Sequence, residues 1–313
     1  MRRKILALLL ISFYTINTYS IYFRSIGPEK GLAHPAVISL FQDKLDRIWF
    51  GTEEGVSIYD GNNITTYKPY SLLRPALFEG NIVLDITDDY KGDVFFRTEK
   101  GVVMHELKTG RFRMISHKST SALYSKNGKI WSAEGDSLML WNPYLDKFVF
   151  MSFLPEKNVN SILVDDNDYK WIATNDGLFR IPPYGETETI IGGAKCVSLL
   201  MDKDNELWVA TTSKGLYRVS SDGTVINYNV KDFAKYGLAS NDIRQIVEED
   251  DNIWFGTFKG LHCFNKKTNS FTVYTRNDNN GGIKYASIYS LLTDNEGTIW
   301  VGTYFGGVYN FSP

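Results

Sequence analysis

The sequence lacks the features that mark several large classes of protein. Two cysteines in 313 residues are too few for a disulfide framework. The net charge is −2 at pH 7 without a block of lysine and arginine, which argues against a chain that contacts nucleic acid through charge. There are only nine prolines, and helical periodicity is nowhere sustained. No apolar run after residue 20 approaches the length of a membrane helix.

The residues that are abundant favour a β-rich fold. Hydrophobic residues make up 43% of the chain and aromatic residues 14%, including seven tryptophans. This composition allows a large buried core and is typical of short strands. The composition is therefore not that of a disordered chain.

The first twenty residues differ from the rest. A basic segment, residues 2–4, precedes an apolar run over residues 5–13 and a short polar stretch that ends at Ser20. This order predicts a secretory signal peptide over 1–20, with the mature chain over 21–313. An uncleaved membrane anchor is the alternative, and the shortness of the apolar run argues against it.

A repeat runs through the remainder of the chain. An aromatic anchor returns seven times, at spacings of 46, 36, 40, 37, 46 and 46 residues: Trp49, Phe95, Trp131, Trp171, Trp208, Trp254 and Trp300. An acidic residue or serine stands six positions before each anchor, and the alignment upstream needs no gap for a dozen residues. Six positions after it, five units have glycine: Gly55, Gly101, Gly177, Gly260 and Gly306.

A period near forty with four short strands per unit is the signature of a β-propeller. The prediction is an all-β, seven-bladed propeller of four-stranded antiparallel blades. The chain ends just after the third strand of unit seven, whereas residues 21–28 form an extra strand before unit one. The N-terminal strand is therefore expected to complete the last blade and to remove its open edge.

The same registry predicts how the blades pack. Trp49 and its equivalents should fill the wedges between blades, while Gly51 or Ala173 leaves room for a ring of the neighbour. Cys196 and Cys263 fall on different strands of neighbouring blades, so two buried free thiols are expected rather than a bridge. Where an aspartate stands six positions before the anchor, it should accept hydrogen bonds from backbone amides of its turn.

Three segments carry a resemblance to a known family. GLAHPAVISLFQDKLDRIWFGTEEGVSIYDG (31–61), LASNDIRQIVEEDDNIWFGTFKGLHCFN (238–265) and YASIYSLLTDNEGTIWVGTYFGGVYNFSP (285–313) resemble two-component regulator propeller repeats. The resemblance is specific in units one, six and seven, and weaker in unit two, where Arg97 replaces glycine, and in unit three.

The resemblance implies a periplasmic sensor region of a hybrid two-component system from gut Bacteroidetes. Such a region responds to glycan breakdown products and controls polysaccharide-utilisation genes through a histidine kinase. In that family the propeller is usually the first of two, and further sensor domains follow it. The implied partners are a second propeller, downstream sensor domains and an oligosaccharide, with a homodimer formed through the downstream domains.

Catalytic and metal chemistry find little support. The four histidines lack metal-ligand spacing, and the acidic turns at 165–170 and 202–206 lack the glycine and terminal glutamate of a calcium loop. No serine sits in a nucleophile-elbow context. We therefore predict no catalytic residue, no metal site and no cofactor.

Candidate binding residues come from two sources. Ten positions before the anchors, serine dominates, and Asp85 and Arg244 interrupt the column, so each needs a partner, water or a ligand. The longest loops between blades (71–80, 231–241 and 277–286) and the hairpins on the same face carry aromatic and polar side chains that suit sugars. The ligand-binding prediction comprises Arg74, Phe78, Asp85, Tyr236, Asn241, Arg244, Phe258, Tyr304 and Phe305.

Three functions remain open on these residues. The first is a non-catalytic sensor that binds an oligosaccharide or a neighbouring domain, two partners that the loops do not distinguish. The second is a propeller lyase or glycosidase, which needs paired carboxylates or a His/Tyr constellation at one mouth of the channel. The third is a protein-interaction scaffold without a small ligand.

Overall fold

Seven four-stranded antiparallel sheets form a closed ring. The structure is a computed structural model that describes residues 21–70, 76–232, 238–279 and 281–313. Each sheet has four strands, and the first strand of each contacts the first strand of the next, including that of blade seven with that of blade one. The predicted seven-bladed propeller is confirmed.

The strands of each blade are consecutive in the chain, except that the first strand belongs to the last blade. In blades one to three they are β2 (Val37–Gln42), β3 (Ile48–Thr52), β4 (Gly55–Tyr59), β5 (Ile64–Tyr67), β6 (Val83–Asp88), β7 (Val94–Thr98), β8 (Gly101–His105), β9 (Phe112–Ser116), β10 (Ala122–Lys126), β11 (Lys129–Glu134), β12 (Ser137–Asn142) and β13 (Lys147–Phe153). In blades four to seven they are β14 (Val159–Val164), β15 (Lys170–Thr174), β16 (Gly177–Ile181), β17 (Glu188–Gly192), β18 (Cys196–Met201), β19 (Leu207–Thr211), β20 (Leu216–Val219), β21 (Val225–Tyr228), β22 (Ile243–Glu249), β23 (Asn252–Thr257), β24 (Gly260–Asn265), β25 (Ser270–Tyr274), β26 (Ile288–Thr293), β27 (Ile299–Thr303) and β28 (Val308–Phe311), with β1 (Arg24–Ile26) as the outer strand of blade seven.

The N-terminal strand closes the ring as expected. Strand β1 pairs antiparallel with β28, with Ser25 opposite Tyr309. Phe23, just before the strand, is 7% exposed and packs edge-on against Phe311 at a centroid distance of 4.8 Å. Because both ends of the chain share one sheet, blade seven has no unpaired third strand at its rim.

The hydrophobic core is divided among the interfaces between blades. Seven clusters of buried side chains each combine residues of two neighbouring blades. Trp49 is fully buried and packs with Val83 and Phe96 of blade two, whereas Phe50 faces Trp300 of blade seven. Both faces of the second strand are therefore buried, which explains its uninterrupted apolar pattern and confirms that the tryptophans fill the wedges.

An aspartate organises the turn between the first two strands of most blades. In blade one, Asp43 Oδ1 accepts hydrogen bonds from the amides of Leu45 and Arg47, as predicted, and Oδ2 accepts one from Trp49 Nε1 at 2.7 Å. The bond to the anchor was not foreseen, and it ties the turn to the core. It recurs in three more blades, as Trp171–Asp165 at 2.9 Å, Trp208–Asp202 at 2.9 Å and Trp300–Asp294 at 2.8 Å.

The sequence alignment of the first strands to their anchors assumed no gap, and this assumption is wrong in blades three and six. There the first hairpin has two loop residues, since Lys126 pairs with Lys129 and Glu249 with Asn252, whereas Gln42 pairs with Ile48 across five. The first strand therefore slips by one residue relative to the anchor. In these blades Ala122 and Gln245, rather than Ser121 and Arg244, stand where Ser39 stands in blade one.

The glycine two positions after the anchor makes room for the first strand of the next blade rather than for an aromatic ring. A Cβ on Gly51 would lie against Ser39 Oγ and 2.8 Å from Val83 Cγ1 of the next blade's first strand. The expectation of a neighbouring ring at Gly51 is thus wrong. In blade seven, the hairpin glycine with positive φ is Gly307 rather than Gly306, and Thr303 Oγ1 donates to its carbonyl at 3.0 Å.

The sequence also made predictions about the two cysteines and about the N-terminal segment. Cys196 and Cys263 are both free and buried, as predicted, and burial raises the pKa of each thiol to about 12. The signal-peptide prediction falls on residues 1–20, which lie outside the described residues. In the part of the chain that is described, no helix has the length and apolar character needed to span a membrane.

Candidate functional site at one mouth of the propeller

The structure separates the predicted binding residues into different environments. Arg74 and Tyr236 lie outside the described residues. Phe78 is 3% exposed and packs on Phe96 and Phe112, so its predicted exposure is wrong. The Phe78 ring turns inward because a large apolar ring gains more from burial between blades one and two than from water.

Asp85 has the partner that its position required. Its carboxylate forms an ion pair with Arg97 Nε at 2.5 Å and accepts from the Leu123 amide at 3.3 Å, while Arg97 Nη1 donates to the Thr120 carbonyl at 3.2 Å. Asp85 and Arg97 replace the Ser39–Gly51 pair of blade one and connect blade two to blade three. The pair therefore has a structural role between blades.

Asn241 is also engaged within the fold. Its side-chain oxygen accepts from the Val230 amide at 2.9 Å, and its backbone carbonyl accepts from the Gly215 amide at 3.1 Å. These bonds hold the loop between blades five and six against the hairpin of blade five. Asn241 thus shapes the rim of the mouth, and its Oδ1 atom is already occupied.

Four of the predicted residues do come together. Arg244, Phe258, Tyr304 and Phe305 join Tyr289 in a contiguous group, here called the mouth cluster. The Arg244 guanidinium lies 4.0 Å from the Phe258 ring centroid and 5.3 Å from that of Tyr289. Tyr289 stacks on Tyr304 at 5.2 Å, and Tyr304 meets Phe305 edge-on at 4.5 Å.

The mouth cluster is built by β-bulges and by hairpins of blades six and seven. Arg244 and Tyr289 are the bulged residues of β22 and β26, where the pairing with the second strand shifts by one. A bulge leaves one residue unpaired and re-aims its side chain. Phe258 and the Tyr304–Phe305 pair come from the hairpins between the second and third strands, so both bulged residues meet them at the same end of the ring.

The cluster is open to solvent on its outer side. Phe258 is 41% exposed and Phe305 is 62% exposed. Arg244 and Tyr289 are half-buried beneath them. The result is an aromatic floor with two accessible rings at its edges.

Arg244 is charged but poorly satisfied. Its Nε atom lies 3.3 Å from Asp242 Oδ1, yet neither atom makes a hydrogen bond, and both are buried. No hydrogen bond joins the guanidinium to any of the described residues. An arginine that contacts two aromatic rings and makes no hydrogen bond to the described residues is prepared for a planar acceptor.

A second polar group flanks the cluster at blade one. Glu53 lies close enough to Tyr304 that its negative charge raises the pKa of the phenol. His34 Nδ1 is 3.9 Å from Glu53 Oε2 and accepts the Ala36 amide at 3.1 Å. Because Nδ1 acts as an acceptor, it does not donate a proton to Glu53 in this arrangement.

The mouth cluster can therefore bind but has few means of catalysis. Exposed aromatic faces stack on the apolar faces of sugar rings, while Arg244 and the Tyr304 hydroxyl supply hydrogen bonds. A tyrosinate base would need a lowered pKa, whereas that of Tyr304 is raised. The geometry favours recognition.

The opposite face carries two open grooves and an acidic group. The grooves have volumes of about 910 and 1160 Å³ and lie beside the first hairpins of blades seven and one and of blades four and five. Asp202, Asp204 and Glu248 bring carboxylate oxygens within 4.8 Å of one another. The Lys266 ammonium lies among them, at 3.2, 2.6 and 2.7 Å, and takes the place that a cation would have.

Sequence reasoning missed Tyr289 and Asp242. Tyr289 stands eleven positions before its anchor, whereas Arg244 stands ten before its own. Both are bulged residues of first strands. The first hairpin of blade six is shorter, and this accounts for the difference of one position. An alignment without gaps therefore could not place Arg244 and Tyr289 at equivalent positions.

The comparisons with known proteins bear on the same segments. A family model described as the two component regulator propeller matches residues 31–54, 237–259 and 271–305. The chain carries two-component regulator propeller repeats. The matched segments lie in units one, six and seven, where the resemblance was specific, and they include all five residues of the mouth cluster.

A curated relative of the chain is a histidine kinase. The chain is 26% identical over 332 residues to histidine kinase P4 of Formosa agariphila, a match that covers 95% of this chain and 24% of that protein. The propeller thus spans about a quarter of the length of the curated relative it matches.

Solved structures share the fold of the propeller. An extracellular domain assigned to a hybrid two-component system of B. thetaiotaomicron superposes with a TM-score of 0.79 at 20% identity, over 94% of this chain and 42% of that one. Virginiamycin B lyase of Staphylococcus aureus superposes with a TM-score of 0.73 at 15% identity, over 94% of this chain and all of that one. At these identities the likeness concerns architecture alone.

Proposed function

We propose that this chain is a non-catalytic sensor propeller that works in the periplasm, binds an oligosaccharide at the mouth cluster and signals to a histidine kinase. The mouth cluster carries the proposal, because Phe258 and Phe305 remain exposed beside a guanidinium with free donors. The repeats and the histidine kinase relative support the signalling role. Docking of a second propeller or of another sensor domain on the same rings is the competing use of this surface.

A pair of matched variants tests the binding role. Phe305→Ala should weaken binding of oligosaccharides about tenfold, because it removes a ring that stacks on the sugar. Tyr144→Ala removes a ring that is 97% exposed in a hairpin of the opposite face and should leave binding unchanged. Isothermal titration of the folded propeller with neutral and acidic tetrasaccharides measures both. Equal affinities for the two variants would place the ligand elsewhere.

A lyase or glycosidase is the second candidate, favoured by the proximity of His34, Glu53 and Tyr304. We expect no product from polysaccharide incubated with the wild-type chain, since His34 Nδ1 is occupied and the pKa of Tyr304 is raised. Reducing-end and unsaturated-product assays measure turnover. Product formation that disappears in both His34→Ala and Tyr304→Phe would establish the enzyme in place of the sensor.

A further inference from the structure

The mouth cluster also indicates the chemical class of its ligand. Arg244 differs from Arg97 and Arg113 in how its charge is used. Arg97 binds a carboxylate and a carbonyl, and Arg113 makes two hydrogen bonds to Asp146, at 2.6 and 2.9 Å. Among the described residues, Arg244 has an ion pair with Asp242 alone, and no hydrogen bond. Arg218 has a similar ion pair with Glu206 at 3.4 Å, but it lies over Trp208, outside the mouth cluster.

Stacking holds the Arg244 guanidinium in place without using its hydrogen-bond donors. The Arg244 guanidinium carbon lies 4.0 Å from the Phe258 ring centroid and 5.3 Å from that of Tyr289, so two rings contact the group. The side chain is 30% exposed, while Nε is buried.

Negative charge lies beside the mouth cluster, so a general positive field is not the attraction. Asp242 lies at ion-pair distance from Arg244, and Glu53 lies beside Tyr304. What remains specific is the planar fork of Arg244, which matches two oxygens of one anionic group. A carboxylate on a sugar ring would meet this fork while the ring lies on the aromatic floor.

We propose that the mouth cluster selects acidic oligosaccharides, with Arg244 as the residue that binds their anionic group. The inference rests on the proposed function and names the ligand class for the same site. A uronate carboxylate and a sulfate ester offer the same paired oxygens to the guanidinium. Phe258 and Phe305 supply stacking that does not depend on charge, and Arg244 supplies the discrimination.

The test compares variants on three ligands: tetragalacturonate, a carrageenan tetrasaccharide and cellotetraose. Arg244→Gln should lower affinity for the acidic ligand that binds by about 10- to 100-fold. Arg244→Lys should also lose most of the affinity for this acidic ligand, because the lysine ammonium lacks the planar pair of donors of a guanidinium. Asp242→Asn should raise the affinity for the same acidic ligand, since it removes a negative charge beside Arg244. It should leave the affinity for cellotetraose unchanged.

Arg276→Gln is the matched control. Arg276 lies in the loop that enters blade seven, and its guanidinium is already bound to Asp278 by two hydrogen bonds of 3.2 Å. Its removal should leave the affinity for every tetrasaccharide within twofold of the wild type. Unfolding curves for each variant show whether the propeller is intact.

The outcomes separate the two proposals. Cellotetraose binding that equals tetragalacturonate binding, lost in Phe305→Ala but kept in Arg244→Gln, retains the sensor site and overturns the acidic ligand class. Preference for the carrageenan or the galacturonate identifies sulfate or carboxylate as the group that is bound. Absence of binding by all three tetrasaccharides overturns both proposals.

Discussion

Lys266→Met is expected to destabilise the propeller by about 3 kcal/mol at pH 7, because it leaves partly buried carboxylates without their cation. The lysine side chain is 11% exposed and joins Asp202 and Asp204 of blade five to Glu248 of blade six. Asp202 is fully buried, whereas Asp204 is 59% exposed, so the loss should lie at the lower end of the range for buried pairs. Urea denaturation measures it.

The loss should depend on pH in a defined direction. Burial alone would raise the pKa of Asp202, but hydrogen bonds from Trp208, from the Glu206 amide and from Lys266 outweigh it and lower the pKa. The stabilisation is therefore present above the ordinary value of 3.8 and is lost as pH falls through the lowered pKa. At the other end, Lys266 has a raised pKa, so its contribution is complete below the ordinary 10.5 and fades above it.

Calcium gives a second measurement on the same variant. Without the ammonium, three carboxylates with oxygens within 4.8 Å of one another remain, a donor set that hard cations prefer. Millimolar calcium should raise the melting temperature of Lys266→Met and leave the wild type unchanged. Lys267→Met, whose side chain is 74% exposed, is the control and should behave as wild type throughout. A Lys266→Met protein as stable as the control would show that the cluster contributes nothing.

The repeat predicts the architecture well because each blade interface needs the same large side chain. Trp49, Trp208 and Trp254 are buried by neighbouring blades to within 2% exposure, so their spacing is constrained along the whole chain. Closure by the first strand was predictable for a related reason, since an unpaired edge in blade seven would be costly. These features depend on burial, which sequence patterns record directly.

The site was less predictable because it depends on hairpin length. Asn127-Gly128 is a two-residue turn signal, and with Asp250-Asp251 it marks the two blades whose first hairpin is short. Reading those turns would have shifted Arg244 by one position and placed it with Tyr289. Phe78 failed for another reason: loop aromatics can turn inward, and no local pattern distinguishes the two cases.

A second large effect is expected on the stability of the propeller at acidic pH. His262→Leu is expected to be more stable than the wild type by about 3 kcal/mol at pH 4 and below, relative to the difference near pH 7. His262 is fully buried on β24 and stacks on Phe255 at 5.0 Å. Neither ring nitrogen has a hydrogen bond of good geometry among the described residues, and the Gly260 backbone is near enough only to oppose part of the effect of burial. Burial lowers the pKa of His262 from 6.5 to about 4.

The direction of this pH dependence follows from the difference in proton binding between the unfolded and the folded chain. Between pH 6.5 and 4 the unfolded chain takes up a proton at residue 262 and the folded chain does not, so acid favours unfolding. Leucine cannot take up that proton, and it also removes two unpaired nitrogens from the core, so the variant should be no less stable near pH 7. Urea denaturation from pH 7 to pH 3.5 measures the difference. His117→Leu, with a side chain 66% exposed, should follow the wild-type curve. A stability difference between His262→Leu and wild type that stays constant across this range would mean that residue 262 exchanges protons equally in both states.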